Sequence, residues 1–494
     1  MTPPNLFTHL RNPDSKLLES ALHILQELRH HGHVAYFAGG CVRDMFLGME
    51  PHDIDIATSA LPADITTIFP RTVPIGAQFG VILVLEKEAE VQVATFRHDG
   101  SYSDGRHPTR VTFTNPQEDA KRRDFTINGL FYDPMTREVL DFVEGQKDLS
   151  AKIIRAIGNP YQRFEEDKLR LLRAIRFATT LNFQIEPETW KAIIELSPKI
   201  LQVSAERIRD EVEKIFRSAH RLRGFDLLNQ CGLLKKIFPE IENLKGCEQP
   251  PEFHPEGDVF IHTRLMLSML QKEASLPLVL SVLFHDIGKP RTRTLDPSGK
   301  VRFYAHDQVG AKMTEKILQR FRFSNKILDA VIPAVRLHMS FKDVPHMRLS
   351  TLRKMMARPT FEDELELHRV DCASSHGMLD NYYLLRQKQK ELTSLELIPP
   401  PLVTGRDLLE LGLQPGKIFG EILQNVKEAQ LENRLQNPQE AIAWIQEHYL
   451  SSSTILETLQ AASLSSQGLG LSCRSQLDTV FDNQTHSGNH KDTS

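Results

Sequence analysis

The chain has 494 residues, 40% hydrophobic and 25% charged, which at roughly 100 to 200 residues per domain predicts about three globular domains and excludes a fibrous or wholly disordered chain. Sixty Lys and Arg against 64 Asp and Glu leave a net charge of -4, so a basic coat for nucleic acid is excluded and any RNA contact must be a local patch. The cysteines (Cys41, Cys231, Cys247, Cys372, Cys473) form no CxxC pair, Met1 to Asp14 has no apolar signal core, and no apolar run approaches the ~20 residues of a membrane span; a cytoplasmic protein with no membrane partner is expected.

Leu17, Leu18, Ala21, Leu22, Ile24, Leu25 and Leu28 recur at helical spacing and stop at Gly32, predicting an opening amphipathic helix. β-like runs at Val34–Phe37, Ile54–Ala57, Gly80–Leu85 and Val91–Phe96, with helical candidates at Val42–Leu47 and Pro62–Phe69, predict a small mixed α/β unit. From about Pro160 the pattern becomes helix after helix, including Glu165–Thr179, Ala205–Ser218 and Arg223–Gln230. The Pro-containing stretch Glu248–Gly257 predicts a linker before a second helical block, and Ile398–Leu402 breaks the chain again before a short helical module. The Ser-, Gln- and Gly-rich end is expected to be disordered from about residue 464, and no internal repeat is present.

Gly39-Gly40-Cys41-Val42-Arg43-Asp44 lies between a predicted strand and a predicted helix, where backbone N–H groups and the helix dipole can receive a phosphate and Arg43 can add charge. A Gly-Gly turn alone reads more readily as a tight strand-to-helix connection. Downstream, Asp53 and Asp55 are two apart in a β-like run whose Ile54 and Ile56 alternate with them, so the two carboxylates share one face. Adjacent carboxylates repel unless a cation lies between them, and hard oxygen donors suit Mg²⁺ arriving with a triphosphate. The pattern predicts two-metal phosphoryl transfer.

Taken with KRRDFTINGLFYD (Lys121–Asp133) and RFEEDKLRLLRAIRFA (Arg163–Ala178), the segments GGCVRDMFLG and PHDIDIATSALP resemble, in order and spacing, the motifs of the class II tRNA nucleotidyltransferase and bacterial poly(A) polymerase family. The likeness spans about the first 240 residues. It implies an α+β protein with a small mixed α/β nucleotidyltransferase head (16–150) followed by all-α parts, a neck and body for nucleotide selection and RNA binding (151–247); the breaks along the chain then set off a second helical block, HD-like by the histidine pattern given below (258–395), and a C-terminal helical module (402–449). It also implies nucleotide contacts from Arg123, Asp124 and Asn128, and an EDxxR motif on Glu166, Asp167 and Arg170.

Asp167 and Arg170 are three apart on a predicted helix, hence on one face. A carboxylate accepts from the exocyclic amine of cytosine or adenine while a guanidinium donates to the neighbouring bare ring nitrogen; uracil and guanine present the opposite polarity there. The loop Asp99–Pro108 is similar to the flexible loop of CCA-adding enzymes and favours C-then-A addition. One departure stands out: Gln92-Val93-Ala94-Thr95-Phe96-Arg97 carries an amide where the family has a Glu near the metals, with Glu90 one pleat away.

His262, His285-Asp286 and Asp371 resemble the H…HD…D ligand pattern of HD phosphohydrolases, which implies a divalent transition metal. His306 and His338 suit a second ion or phosphate contacts, and Lys289 could neutralise a phosphate. The expected activity is template-independent addition of CCA to tRNA 3′ ends from CTP and ATP, with Mg²⁺ in the head. The alternatives are an ATP-restricted A-adding enzyme or poly(A) polymerase, an HD-type phosphohydrolase with an inactive RNA-binding head, and a nucleotide-binding regulator without turnover.

Overall fold

The computed structural model describes residues 16–86, 89–100, 110–252, 254–392 and 397–450; most of the loop expected at 99–108 and the tail expected at 464–494 lie outside the described residues. Helix α1 (Lys16–His30) buries Leu18, Ala21, Ile24, Leu25 and Leu28 and ends before Gly32, whose φ of +85° admits a residue without a side chain.

Seven strands follow: β1 (Ala35–Ala38), β2 (Ile56–Thr58), β3 (Thr72–Gly76), β4 (Val81–Glu86), β5 (Ala89–Thr95), β6 (Leu130–Asp133) and β7 (Glu138–Asp141), in the sheet order β3-β4-β5-β2-β1-β6-β7. The β2–β5 pair is parallel, with Ile56 opposite Val93, and the other ladders are antiparallel. Phe37, Ile56 and Val93 point into the large core, whereas Ala38, Ala57, Phe96 and Phe131 form a smaller cluster on the opposite face. The central strands β1, β2 and β6 are buried along their length, as both faces are covered there, whereas β5 alternates buried and exposed residues and β3 is largely exposed.

Between the strands lie α2 (Gly40–Phe46), α3 (Pro62–Ile68) and α4 (Pro116–Lys121), and α5 (Gly145–Ala151) closes the head. The neck and body begin with α6 (Pro160–Glu166), where the Asn159 side chain accepts from the backbone N–H groups of Tyr161 and Gln162 and Pro160 occupies the first turn. Then come α7 (Leu169–Thr180), α8 (Pro187–Leu196), α9 (Ala205–Arg217) and α10 (Arg221–Gln230). The single helix expected over Glu165–Thr179 is therefore two helices broken at Asp167, which has extended backbone (φ -145°, ψ 105°). Helical proteins of this kind pack through apolar stripes, and α7 and α9 bury Leu171, Leu172, Ile175, Val212, Ile215 and Phe216 in the same core as α1. Two short ladders interrupt the helical part, Ile153–Ile154 with Gln184–Ile185 and Arg293–Leu295 with Val301–Phe303.

The chain divides into two compact units: the residues up to Lys342 with Glu362–Tyr383, and Asp343–Phe361 with the residues from Leu384 on. The second unit has its own core of Val403, Leu408, Ile422, Val426, Leu435 and Ile445, with an ion pair between Lys354 and Glu428. Among the described residues no helix is long and apolar enough to cross a membrane.

Candidate functional site

β1 ends at Ala38 and turns through Gly39 into α2. Gly39 has φ +76°, a backbone angle that favours glycine, and a Cβ there would lie 2.7 Å from Arg123 Nη1, so a side chain would also displace that guanidinium. The Ala38 N–H donates to the Asp55 carbonyl at 2.9 Å, which draws the acidic segment alongside the turn. Asp53 and Asp55 were expected on a strand; they lie on the extended approach to β2, which begins at Ile56, because β1 leaves the ladder for α2 at this level. The alternation survives the shift: Ile54 and Ile56 are buried and both carboxylates line one cleft. Burial and the charge of Asp53 push Asp55 up to about 6, against the pull of Arg123.

The cleft has a volume of about 670 Å³, a size suited to a nucleotide. Gly39, Gly40, Arg43, Asp53, Asp55, Arg123, Asp124, Asn128, Asp167 and Arg170 all line it, drawn from four separate segments. Arg43 Nη1 donates to Asn128 Oδ1 at 2.7 Å, and Asn128 Nδ2 donates to Asp124 Oδ1 at 3.0 Å. Asp124 Oδ2 accepts from Arg173 Nε at 2.7 Å. Burial opposes the Asp124 charge, but Arg173, Asn128 and Arg170 outweigh it and hold the carboxyl well below the usual range.

The expectation that Asp167 and Arg170 share a helix face is corrected by the α6–α7 break. Asp167 Oδ1 accepts from the Leu169 N–H at 3.0 Å, a local turn that competes with helix and starts α7 afresh. Arg207 from α9 donates to both Asp167 oxygens at 3.2 and 2.7 Å, and Arg170 Nη1 donates to Glu166 Oε2 at 2.6 Å. Each group is thus held by a neighbour, and both face the cleft.

Several lining residues had escaped notice: Arg173 and Arg176 on α7, and Arg207 and Lys214 on α9. The first two carried a readable signal, since Arg170, Arg173 and Arg176 recur every three residues along one helical stripe. Arg43, Arg173 and Arg176 surround the Phe177 ring at 5.0, 5.4 and 3.8 Å, which aligns their guanidinium groups on the cleft wall. The basic patch required by the charge balance is therefore internal: eight Arg and Lys against five Asp line the cleft.

Gln92 is exposed on β5. Extending the Ile56–Val93 register by one residue sets it beside Asp55 on the same sheet face, with Glu90 one pleat further along. The amide is thus next to the acids without lining the cleft.

A second cluster forms where Leu276–Phe284 ends. His285 caps this apolar helix and Asp286 follows, both buried. His262, on the helix Val259–Met269, sets Nε2 at 3.1 Å from Asp371 Oδ1, and His285 Nε2 lies 3.0 Å from Asp286 Oδ2. The four residues expected together are together, and His306 and His338 join them, with Nε2 atoms 3.4 and 3.8 Å from Asp286 Oδ1. Lys289 Nζ lies 2.6 Å from Asp286 Oδ2 and donates to Gln249. The stretch Glu248–Gly257, expected as a linker, supplies Gln249, His254 and Glu256 to this cluster, and Glu256 Oε1 lies 2.6 Å from His262 Nδ1. His and Asp donors crowded in this way suit a divalent transition ion.

Three family models match the chain: the poly A polymerase head domain over residues 35–155, the RNA and SrmB binding site of polymerase A over 182–245, and tRNA nucleotidyltransferase domain 2 over 303–445. The CCA-adding enzyme of Enterococcus faecalis is 33% identical over 434 residues, covering 86% of this chain and 94% of that protein. Among solved structures, the Bacillus stearothermophilus CCA-adding enzyme in complex with CTP matches with TM-score 0.64 and 27% identity, covering 88% of this chain and 98% of the other. The Thermotoga maritima CCA-adding enzyme complexed with tRNA shares the fold, with TM-score 0.56 and 20% identity over 90% of this chain and 98% of that one.

Proposed function

The chain belongs to the CCA-adding enzyme family and is a tRNA nucleotidyltransferase that adds CMP and AMP from CTP and ATP to tRNA 3′ ends, releasing pyrophosphate; we propose that the head cleft performs this reaction through the ten residues nominated from the sequence. The observation that carries this reading is their convergence on one cavity with two neighbouring carboxylates.

Asp53 and Asp55 are the groups that would hold Mg²⁺, and their fit rests on the Asp55 carboxyl, which burial and Asp53 push up to about 6: a pair poorly compensated by the chain alone accepts a divalent cation. When bound, that cation neutralises the triphosphate and lowers the pKa of the attacking hydroxyl. The chain's own residues do the rest. The Gly39–Gly40 turn lets the triphosphate approach the backbone, and Arg43 adds charge beside it. Asn128 and Asp124 orient Arg43 and the sugar through the hydrogen-bond chain described above. The RNA 3′ oxygen attacks the α-phosphorus in line, and the bond to pyrophosphate breaks.

Asp167 and Arg170 select the base. Asp167 accepts from the amine of cytosine or adenine, and Arg170 donates to the adjacent ring nitrogen. Arg207 and Glu166 hold these two groups apart from one another, so they meet a base rather than neutralise each other. Residues 16–150 serve as the catalytic head and 151–247 as neck and body. In 258–395, His262, His285, Asp286 and Asp371 would hold a divalent transition metal. A reducing cytoplasm suits Cys41, Cys231, Cys247 and Cys372, which are buried and free among the described residues.

The test is incubation of the full-length protein with tRNA lacking its 3′ end and each labelled nucleotide. Three additions from CTP plus ATP are expected, and long A tracts from ATP alone would point to the A-restricted alternative. Asp53→Ala should lower addition to about one-thousandth of the parent rate, the scale of losing roughly 4 kcal/mol of transition-state stabilisation. Undiminished addition by that variant removes the metal assignment.

A further inference from the structure

We propose that the two-stranded ribbon formed by Arg293–Leu295 and Val301–Phe303 is a contact for unpaired nucleotides of the tRNA, with Tyr304 stacking on a base and Arg291 and Arg293 meeting phosphates. This rests on tRNA as the substrate and adds a surface for it: the ribbon lies outside residues 151–247, to which RNA binding is assigned above. Its strands are antiparallel, with Arg293 opposite Phe303, Thr294 opposite Arg302 and Leu295 opposite Val301. All three residues of the first strand are exposed, so it covers no core of its own.

A two-stranded ribbon is marginal by itself, and this one is pinned at both ends. At the tip, Asp296 Oδ1 accepts from the N–H groups of Ser298 and Lys300 at 2.9 and 3.0 Å, and Oδ2 accepts from Arg302 Nε at 3.0 Å. At the base, His306 Nδ1 donates to the Phe303 carbonyl at 2.8 Å, and the half-buried Phe303 ring lies 5.6 Å from Lys289 Nζ. Between Phe303 and the buried His306, Ala305 has φ +57°, a left-handed angle uncommon for a residue with a side chain. That turn leaves Tyr304 70% exposed, with no ring contact or side-chain hydrogen bond among the described residues.

The charge on the ribbon is one-sided. Residues 291–304 carry Arg291, Arg293, Lys300 and Arg302 against Asp296 alone, in a chain whose net charge is -4. Arg302 is taken by Asp296, and Lys300 lies 3.3 Å from Glu252. Arg291 and Arg293 are exposed and enter no ion pair or side-chain hydrogen bond among the described residues. Because Arg293 stands opposite Phe303, it is beside Tyr304 at the base of the ribbon, so a free guanidinium and an open aromatic ring occur together.

A polyanion with unstacked bases matches this combination. A base offers its flat face to Tyr304, and the phosphates flanking it accept paired hydrogen bonds from the guanidinium groups of Arg291 and Arg293. Duplex RNA fits less well, since its bases are already stacked and the deep, narrow A-form major groove keeps side chains out. The contact tolerates any sequence because every base has a π face. It therefore adds affinity for the acceptor RNA and takes no part in choosing CTP or ATP.

The experiment uses the full-length protein and a tRNA transcript lacking its 3′ CCA. Fluorescence anisotropy gives Kd between about 50 and 200 mM salt, and addition assays give kcat and KM. The double variant Arg291→Ala with Arg293→Ala should raise Kd about tenfold and flatten the slope of log affinity against log salt by about 1 to 2, one step per lost phosphate contact. Tyr304→Ala should raise Kd about tenfold with the slope unchanged, and Tyr304→Phe, which keeps the ring, should bind as the parent does. In both weakened variants KM for tRNA should rise while kcat and KM for CTP stay within about twofold, the pattern of lost binding rather than a disturbed head. Circular dichroism confirms that each variant is folded. Parent Kd in either the double variant or Tyr304→Ala overturns the ribbon contact, points the exposed ring to a protein partner, and leaves tRNA as the substrate. A parent protein that neither binds nor extends the transcript overturns both.

Discussion

Asp124 concentrates the electrostatics of the head in one side chain. Its oxygens accept from Asn128, Arg173 and its own neighbour's N–H, and these contacts hold its carboxyl below the ordinary range despite burial. A carboxylate whose folded pKa is depressed contributes stability that is complete above its unfolded pKa, roughly 4, and is lost as the pH falls through the folded value. Asp124→Asn should therefore cost about 2 kcal/mol at pH 7, discounted for the part-exposed Arg173, and the deficit should shrink as buffers are acidified from pH 5 to pH 3. Denaturant melts of both proteins across that range measure it; a deficit that stays constant removes the charge argument. Arg207 is the other residue with a sharp expectation. Without its two hydrogen bonds Asp167 loses its orientation, so Arg207→Ala should reduce selection of CTP and ATP over UTP and GTP by about tenfold, read from kcat/KM for each nucleotide. The convergence of Asp53, Asp55, Gly39 and Arg43 on one cleft was legible because the chemistry sought there dictated both their type and their spacing. Arg207 was not, since a lone arginine on an amphipathic helix reads as a solvated charge until its partner across the neck is known.

Among the elements, the base selection proposed above rests on the α6–α7 break and the packing of α7 against α9. Local spacing suggested one helix because Leu169, Leu172 and Phe177 continue the periodicity; the Asp167 side chain overrides it by binding the Leu169 N–H. The break turns Asp167 toward Arg207 while Arg170 remains on the first turn of α7. α10 presses on both helices through Gly224: a Cβ there would lie 2.5 Å from Ile215 of α9 and 3.0 Å from Thr179 of α7. Gly224→Ala should force these helices apart, costing about 1 to 3 kcal/mol and lowering kcat/KM for CTP and ATP together. Thermal melts and the incorporation assay test this, and wild-type values in both would show that α10 does not set the spacing. β1, β2, β4 and β5 were readable as apolar runs, whereas the largely exposed β3 and the strands β6 and β7 were not named; the strand order was not readable either, because pairing β2 beside the later β5 depends on contacts far apart in sequence.

At the scale of the molecule, one continuous core runs from Leu18 to Val370, and the cleft and the histidine cluster both belong to the first compact unit while sharing no residue. Their chemistries should therefore be separable. Asp53→Ala should lower nucleotide addition to about one-thousandth and leave manganese retained by the histidine cluster unchanged, whereas His285→Ala should lose that manganese and keep addition within about twofold, as expected for sites that share no residue. Loss of both by either variant would mean that the two are coupled. The amino-acid sequence by itself determined the head, the acidic pair, and the run carrying the Asp167 and Arg170 to which base selection is assigned above, and it pointed to the set His262, His285, Asp286 and Asp371, because each is read from short runs whose residue types are dictated by local chemistry. Only the tertiary structure decided which arginines wall the cleft, that Asp167 and Arg170 are held by Arg207 and Glu166, and that His306 and His338 close on Asp286, because each of these depends on distances between helices that no spacing along the chain encodes.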